Sequence, residues 1–223
     1  FDNYRYHLGP VLEVGNIYPQ KFAQGFWEGL RQQGETEIVN LVRCAWAGSQ
    51  RYGVLAWSGD VHSSFHALRN QFSAGLNMAM AGIPWWTTDI GGFQGGNIHD
   101  PDFHELLIRW FQWAVFCPVM RLHGYREPQI QPEEAWRNGI AQCNSGSPNE
   151  VWSYGEENYA LMKDCLLLRE RLRPYISQLM QEAHQPGDPV MRPLFYHYPH
   201  QADSWQVEDQ YLLGRDVLVA PVL

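Results

Sequence analysis

The chain has 223 residues, 45% of them hydrophobic and 14% aromatic, which is enough to bury a sizeable core and excludes a disordered polypeptide. No apolar run approaches the roughly 18 residues of a membrane span, and no basic segment followed by an apolar one opens the chain. A net charge of −8, from 24 acidic against 16 basic residues, argues against nucleic acid, whose binding needs Lys and Arg clusters to displace counterions.

Ten Trp and eleven Tyr are many for this length, and flat aromatic faces suit apolar cores and sugar rings alike. Cys44, Cys117, Cys143 and Cys165 are widely spaced with no C-x-x-C pair, so neither a zinc site nor a disulfide framework is indicated. Three of them lie in apolar contexts and read as small buried hydrophobes. No cofactor is expected.

Taken in order, Phe1 to Pro10 is aromatic and polar without a period and reads as the tail of a loop. The chain opens at Phe1 rather than Met, and we expect it to be part of something longer. Tyr18-Pro19 then opens a helix with Phe22, Phe26 and Leu30 along one face, and Gly34 stops it. Glu37 to Arg43 is a strand of the kind buried on both faces, ending in a guanidinium that needs a partner.

Gly53 to Trp57 is a second apolar strand, and it delivers Asp60 through Ser58-Gly59 into a small-residue turn. Helical periodicity follows from Ser63, with Phe65, Leu68, Phe72, Leu76 and Ala79 at three- and four-residue steps. Asp60 is a candidate catalytic acid at the strand end, and the bland alternative is that it or Ser63 caps that helix. Ile83 to Asp89 is a third strand ending in a carboxylate, followed by Gly91-Gly92-Phe93. Asp100-Pro101 caps a helix through Phe103, Leu107, Trp110, Phe111 and Ala114, and Val119 to His123 reads as a fourth strand.

Tyr125 to Trp152 is long, polar and without period, the mark of a functional lid or insertion. Glu156 to Ala183 is a long helix that Pro174 is expected to kink. From Pro189 the character changes to short β-type runs, Phe195 to Tyr198, Gln210 to Leu213 and Val217 to Ala220, with no helix between them.

Four successive strands thus end in Arg43, Asp60, Asp89 and His123. Alternating strands and helices without hairpins imply parallel pairing, and polar strand ends in series are the pattern of a (β/α)8 barrel. Four units are about half of one. We expect an α/β chain in which residues 1–188 are the second half of a barrel and 189–223 begin an all-β domain.

Two metal-like groupings are set aside. His62 and His66 have helical zinc spacing but lack the Glu of a metalloprotease motif. His99, Asp100, Asp102 and His104 are better explained by Asp-Pro capping a helix.

Arg43-Cys-Ala-Trp-Ala-Gly48, Trp57-Ser-Gly-Asp60, Thr88-Asp-Ile-Gly-Gly-Phe93 and Arg121-Leu-His123 together resemble the second half of the catalytic barrel of glycoside hydrolase family 31, the α-glucosidases and α-xylosidases. Glu208 to Pro221 resembles the start of the β-sandwich that follows it. The resemblance implies that Asp60 is the general acid/base. It also implies that Arg43, Asp89 and His123 bind hydroxyls of the first sugar, and that Trp57, Phe93 and Trp86 wall the pocket. The family's nucleophile, an Asp on the fourth strand, would lie before Phe1, and Asp2 is not assigned to it.

Retaining hydrolysis needs two carboxyls about 5–5.5 Å apart. This chain supplies the acid/base, and Asp89 is expected to pair with Arg43. The implied partner is an α-linked glycoside or oligosaccharide, with glucose or xylose left open. A non-catalytic sugar-binding module and a lyase of the same family are the alternatives.

Overall fold

Residues 3–223 are described by the structure, a computed structural model. Asp2 lies outside the described residues. Helix α1 (Tyr18–Gln32) has Pro19 in its first turn, where a missing N–H is harmless. It ends where Gly34 takes a φ of +93°, a backbone form open to glycine. Phe22, Phe26 and Leu30 share one face as expected, but that face is exposed, and Ala23 is the helix's buried residue.

Strands β1 (Asn40–Val42), β2 (Val54–Trp57) and β3 (Trp86–Thr87) pair in that order, all parallel. Val42 lies opposite Ala56, Ala56 opposite Trp86, and Trp57 opposite Thr87. Because side chains alternate across a strand, this register puts Trp86 on the face of Ala56 and Trp57 on the other. Val54, Ala56 and Trp86 are buried against the outer helices, whereas Leu55 and Trp57 are half-buried on the inner face.

Helix α2 (Phe65–Met80) joins β2 to β3. Its cap is Ser64, whose hydroxyl accepts from the Ala67 N–H at 3.1 Å, so neither Asp60 nor Ser63 has that role. Leu68, Phe72, Gly75 and Ala79 are the buried stripe. Gly75 admits the Trp86 indole so closely that a methyl there would stand 2.8 Å from the ring.

Helix α3 (Pro101–Ala114) is capped by Asp100, which accepts from the Asp102 N–H at 3.0 Å. It is buried on nearly every side, through Phe103, Leu106, Leu107, Ile108, Trp110, Phe111 and Trp113. Helix α4 (Glu156–His184) packs against it and continues through Pro174.

Two expectations for residues 119–152 need correcting. Val119 to His123 is not a ladder strand: it runs beside β3 with a hydrogen bond from the Ile90 N–H to the Arg121 carbonyl, 3.1 Å, and one from Thr87 Oγ1 to the Val119 carbonyl, 3.1 Å. Pro118, which has no N–H, opens the segment, and contacts of this kind do not make a continuous ladder. The 125–152 segment is not structureless. Strands β4 (Gly96–Asn97), β5 (Arg126–Ile130) and β6 (Ser145–Ser147) form a sheet in which β5 is parallel to β4 and antiparallel to β6. Beyond it, Trp136–Arg137 pairs with Ile140–Ala141 around Asn138-Gly139, both at positive φ.

The C-terminal residues form an antiparallel sheet of β7 (Met191–Arg192), β8 (Tyr211–Leu213) and β9 (Val217–Val219). Phe195 to Tyr198 was expected as a strand, but α5 (Leu194–His197) is a helical turn there, entered through Pro193, whose carbonyl accepts from the Tyr196 N–H at 2.9 Å. Of the four cysteines, Cys117 is buried, Cys165 is half-buried, and Cys44 and Cys143 are exposed loop residues, so the buried-hydrophobe reading holds fully for one.

Two helix glycines give opposite expectations for the same change. At Gly29, in α1, nothing lies within 4 Å of a new methyl, so Gly29→Ala should raise stability by about 0.5–1 kcal/mol. At Gly75 the clash with Trp86, about 1–3 kcal/mol for overpacking, outweighs that gain. Thermal unfolding of both variants checks this, and a stabilised Gly75→Ala would contradict the packing described.

Candidate active site

The residues that follow β1, β2 and β3 and the 119–123 segment converge at one end of the sheet. Trp57 ends β2, and Gly59 turns the chain at φ +83° so that Asp60 stands beyond it. Arg43, just past β1, donates from Nη1 to Asp60 Oδ2 at 3.1 Å. Both side chains are open to solvent, Arg43 by 59% and Asp60 by 35%, so a bound molecule can reach either.

Asp89 is the opposite case. Its side chain is fully buried, one oxygen accepts from Arg121 Nη1, and Oδ2 has no hydrogen-bond partner. Burial raises its pKa above the ordinary value, while Arg121 and then His123 act against the shift. Ser58 Oγ donates to Thr88 Oγ1 at 3.0 Å, tying the end of β2 to the residue before Asp89.

Around this carboxylate the aromatic groups are ordered. The Phe93 and His123 rings stack with centroids 5.4 Å apart and 29° between planes. The guanidiniums of Arg43 and Arg121 lie 5.6 and 5.9 Å from the Trp57 ring centroid, within cation–π range. Gly91 and Gly92, at φ +83° and +76°, form the turn from Asp89 to Phe93, and a methyl on Gly92 would come within 2.7 Å of the His62 carbonyl.

Of the sequence-derived residues, Arg43, Trp57, Asp60, Asp89, Phe93 and His123 are brought to this end of the sheet. Trp86 is not: it is 2% exposed, on the far face of β3 with Gly75 and Trp113, where the two-residue alternation of the strand sends it. The expected Arg43–Asp89 pair is replaced by two pairs, Arg43 with Asp60 and Arg121 with Asp89. Arg121 was not singled out from the sequence, although its two-residue spacing from His123 was a visible signal. Arg126, fully buried behind the site, gave no signal at all, being one charge in a polar stretch. Among the residues set aside as metal-like, His104 Nε2 lies 2.7 Å from the Ile98 carbonyl, and His66 Nε2 lies 3.1 Å from Asn70 Nδ2.

Chemically the arrangement offers a dry acceptor oxygen without a donor, an accessible carboxylate beside a guanidinium, and aromatic faces. Residues 2–179 match the glycosyl hydrolases family 31 TIM-barrel domain, and residues 187–223 match the family's C-terminal domain.

The chain belongs to glycosyl hydrolase family 31.

A family 31 α-xylosidase from a soil metagenome, solved in complex with xylose, has a TM-score of 0.95 and 70% identity, covering 100% of this chain and 33% of its own. An uncharacterized family 31 glucosidase of Pseudescherichia vulneris is 85% identical over 130 residues, which is 58% of this chain and 25% of that protein. An α-xylosidase of Saccharolobus solfataricus is 35% identical over 215 residues, 96% of this chain and 27% of that protein. This chain therefore spans a quarter to a third of the length of these family 31 relatives. It comprises the C-terminal half of the family's (β/α)8 barrel and the start of the domain that follows.

The raised carboxyl of Asp89 has a consequence for stability. The folded state holds that proton more tightly than the unfolded chain, whose ordinary value is 3.8, so this group's contribution falls as pH rises above about 3.8. Asp89→Asn should flatten that decline in a series of unfolding curves against pH. An unchanged slope would contradict the desolvated setting of Asp89.

Proposed function

We propose that the protein is a retaining, exo-acting α-glycoside hydrolase that releases a terminal α-linked sugar, with xylose preferred over glucose. The observation that carries this reading is Asp89: a fully buried carboxylate with one oxygen lacking a donor, at the end of a parallel strand beside Asp60. A buried acceptor without a partner is unfavourable by about 1–3 kcal/mol, and a sugar hydroxyl that displaces the side chains covering it is a donor of the right kind to relieve it.

In this reading Asp60 is the general acid/base. It gives a proton to the glycosidic oxygen as that bond breaks, then removes one from the water that cleaves the glycosyl-enzyme. Arg43, 3.1 Å away, yields its contact while Asp60 carries the proton and holds the carboxylate once the proton has gone. Asp89, Arg43 and His123 take hydroxyls of the first sugar, and Trp57 and Phe93 pack on its faces.

At this end of the sheet Asp89 has one oxygen held by Arg121, and the reading gives its other oxygen to a sugar hydroxyl rather than to attack on the anomeric carbon. The reading therefore places the nucleophilic Asp upstream of Phe1, and residues 1–223 alone are expected not to turn over substrate. It keeps residues 1–188 as barrel and 189–223 as the opening of the β-sandwich domain. Xylose is supported by the 70% identical α-xylosidase bound to that sugar, whereas the name of the Pseudescherichia relative favours glucose.

In the full-length protein, 4-nitrophenyl α-xyloside should be hydrolysed faster than the α-glucoside. Asp60→Ala should lower turnover of a natural disaccharide by about 10²–10⁴-fold. With the activated substrate, azide should restore turnover and yield the α-glycosyl azide. A β-glycosyl azide would instead make Asp60 the nucleophile. Sugar binding without hydrolysis would mark a binding module, and an eliminated, unsaturated sugar product would mark a lyase.

A further inference from the structure

Arg126 is a charged group that the proposed chemistry leaves unused, and it is fully buried. Its Nη1 donates to the Gly92 carbonyl at 2.8 Å, and Nη2 donates to the Ile90 carbonyl at 2.9 Å and the His123 carbonyl at 3.4 Å. Its Nε donates to Asn149 Oδ1 at 2.9 Å, an oxygen that also accepts from the Tyr154 hydroxyl at 2.5 Å. The Phe103 ring lies 4.9 Å beneath the guanidinium.

Ile90 and Gly92 lie in the turn that carries the chain from Asp89 to Phe93, and His123 is the ring stacked on Phe93. One planar fork thus holds both segments that present the buried carboxylate and its aromatic neighbours, and Asn149 connects it to β6 and the loop beyond. Only a guanidinium has enough donors in a fixed plane to do this. The chain leaves room for it by glycine: a methyl on Gly124 would sit 2.5 Å from Arg126 Cζ, and one on Gly96 3.1 Å from Nη1.

We propose that Arg126 is a positioning residue of the sugar site, setting the distance between the Asp89–Phe93 turn and His123 and linking that spacing to Asn149. This rests on the reading of Asp89, Phe93 and His123 as sugar-binding. The ammonium of a lysine cannot reach the carbonyls of Ile90, Gly92 and His123 together with Asn149. The loss on Arg126→Lys should therefore appear in substrate binding even where the charge is kept.

The test uses the full-length protein and 4-nitrophenyl α-xyloside, with Arg126→Lys, Gly124→Ala and Asn149→Ala. Per folded molecule, Arg126→Lys and Gly124→Ala should raise KM about tenfold or more while kcat changes less, and Asn149→Ala should raise KM by a smaller factor. A purely structural role would reduce the amount of active enzyme and lower the maximal rate at unchanged KM. Hydrogen exchange supplies a readout independent of activity. Amides of residues 90–93 and 123–125 should lose protection in these variants, while those of α2 keep it. If the parent protein hydrolyses no α-glycoside, the functional reading fails while exchange still decides the role of Arg126. Unchanged KM, or unchanged protection of 90–93 and 123–125 in Arg126→Lys, would overturn the proposal.

Discussion

A carboxylate kept from water at the end of a parallel strand is the constraint on which the site depends. Asp89 is fully buried, and Arg121 meets only one of its oxygens. Burying a charge in that way is unfavourable unless the surroundings compensate. Here they do so in part, through Arg121 and His123 nearby and Arg126 farther back. The remaining oxygen faces no donor, and the aromatic groups Trp57, Phe93 and His123 leave the neighbourhood suited to a molecule that is apolar on its faces and polar at its edges. Sugars have that character.

Much of this was legible in the chain, for physical reasons that differ by element. The parallel units were readable because buried strands such as Val54 to Trp57 are continuous apolar runs, and the helices behind them show three- and four-residue spacing. The positions of Asp60 and Asp89 followed from where those runs stop. What failed were features without a local hydrophobic signature. The β5–β6 sheet pairs Ile130 with Ser145 and Arg126 with Ser147, with no apolar run to mark it, and although Asn138-Gly139 was a turn signal, it alone could not reveal that sheet. Trp86 was misplaced because aromatic character says nothing of which face a residue takes; the register with Ala56 does. The pairing of Arg121 with Asp89, and of Arg43 with Asp60, is a matter of three-dimensional reach that spacing did not resolve.

The C-terminal sheet is fastened to the barrel portion rather than appended to it. The Tyr211 hydroxyl donates to the Phe116 carbonyl at 2.9 Å, and the Tyr175 hydroxyl to the Leu213 carbonyl at 2.8 Å. Arg169 of α4 donates to the carbonyls of Val115, Cys117 and Pro118 at 2.7, 2.6 and 2.8 Å, satisfying acceptors left unpaired where α3 ends. Phe72 of α2 has Trp113 of α3 at 6.1 Å and Tyr211 of β8 at 5.7 Å, so one aromatic cluster spans sheet, helices and C-terminal strands. The stretch held by Arg169 and Tyr211 runs directly into Arg121 and His123.

The account turns on the unpaired oxygen of Asp89, and a crystal structure of the full-length protein with xylose tests it most directly. The account predicts a sugar hydroxyl at about 2.6–2.8 Å from Asp89 Oδ2, with the ring against Trp57 and Phe93. Xylose bound elsewhere, with that oxygen still without a donor, would contradict it.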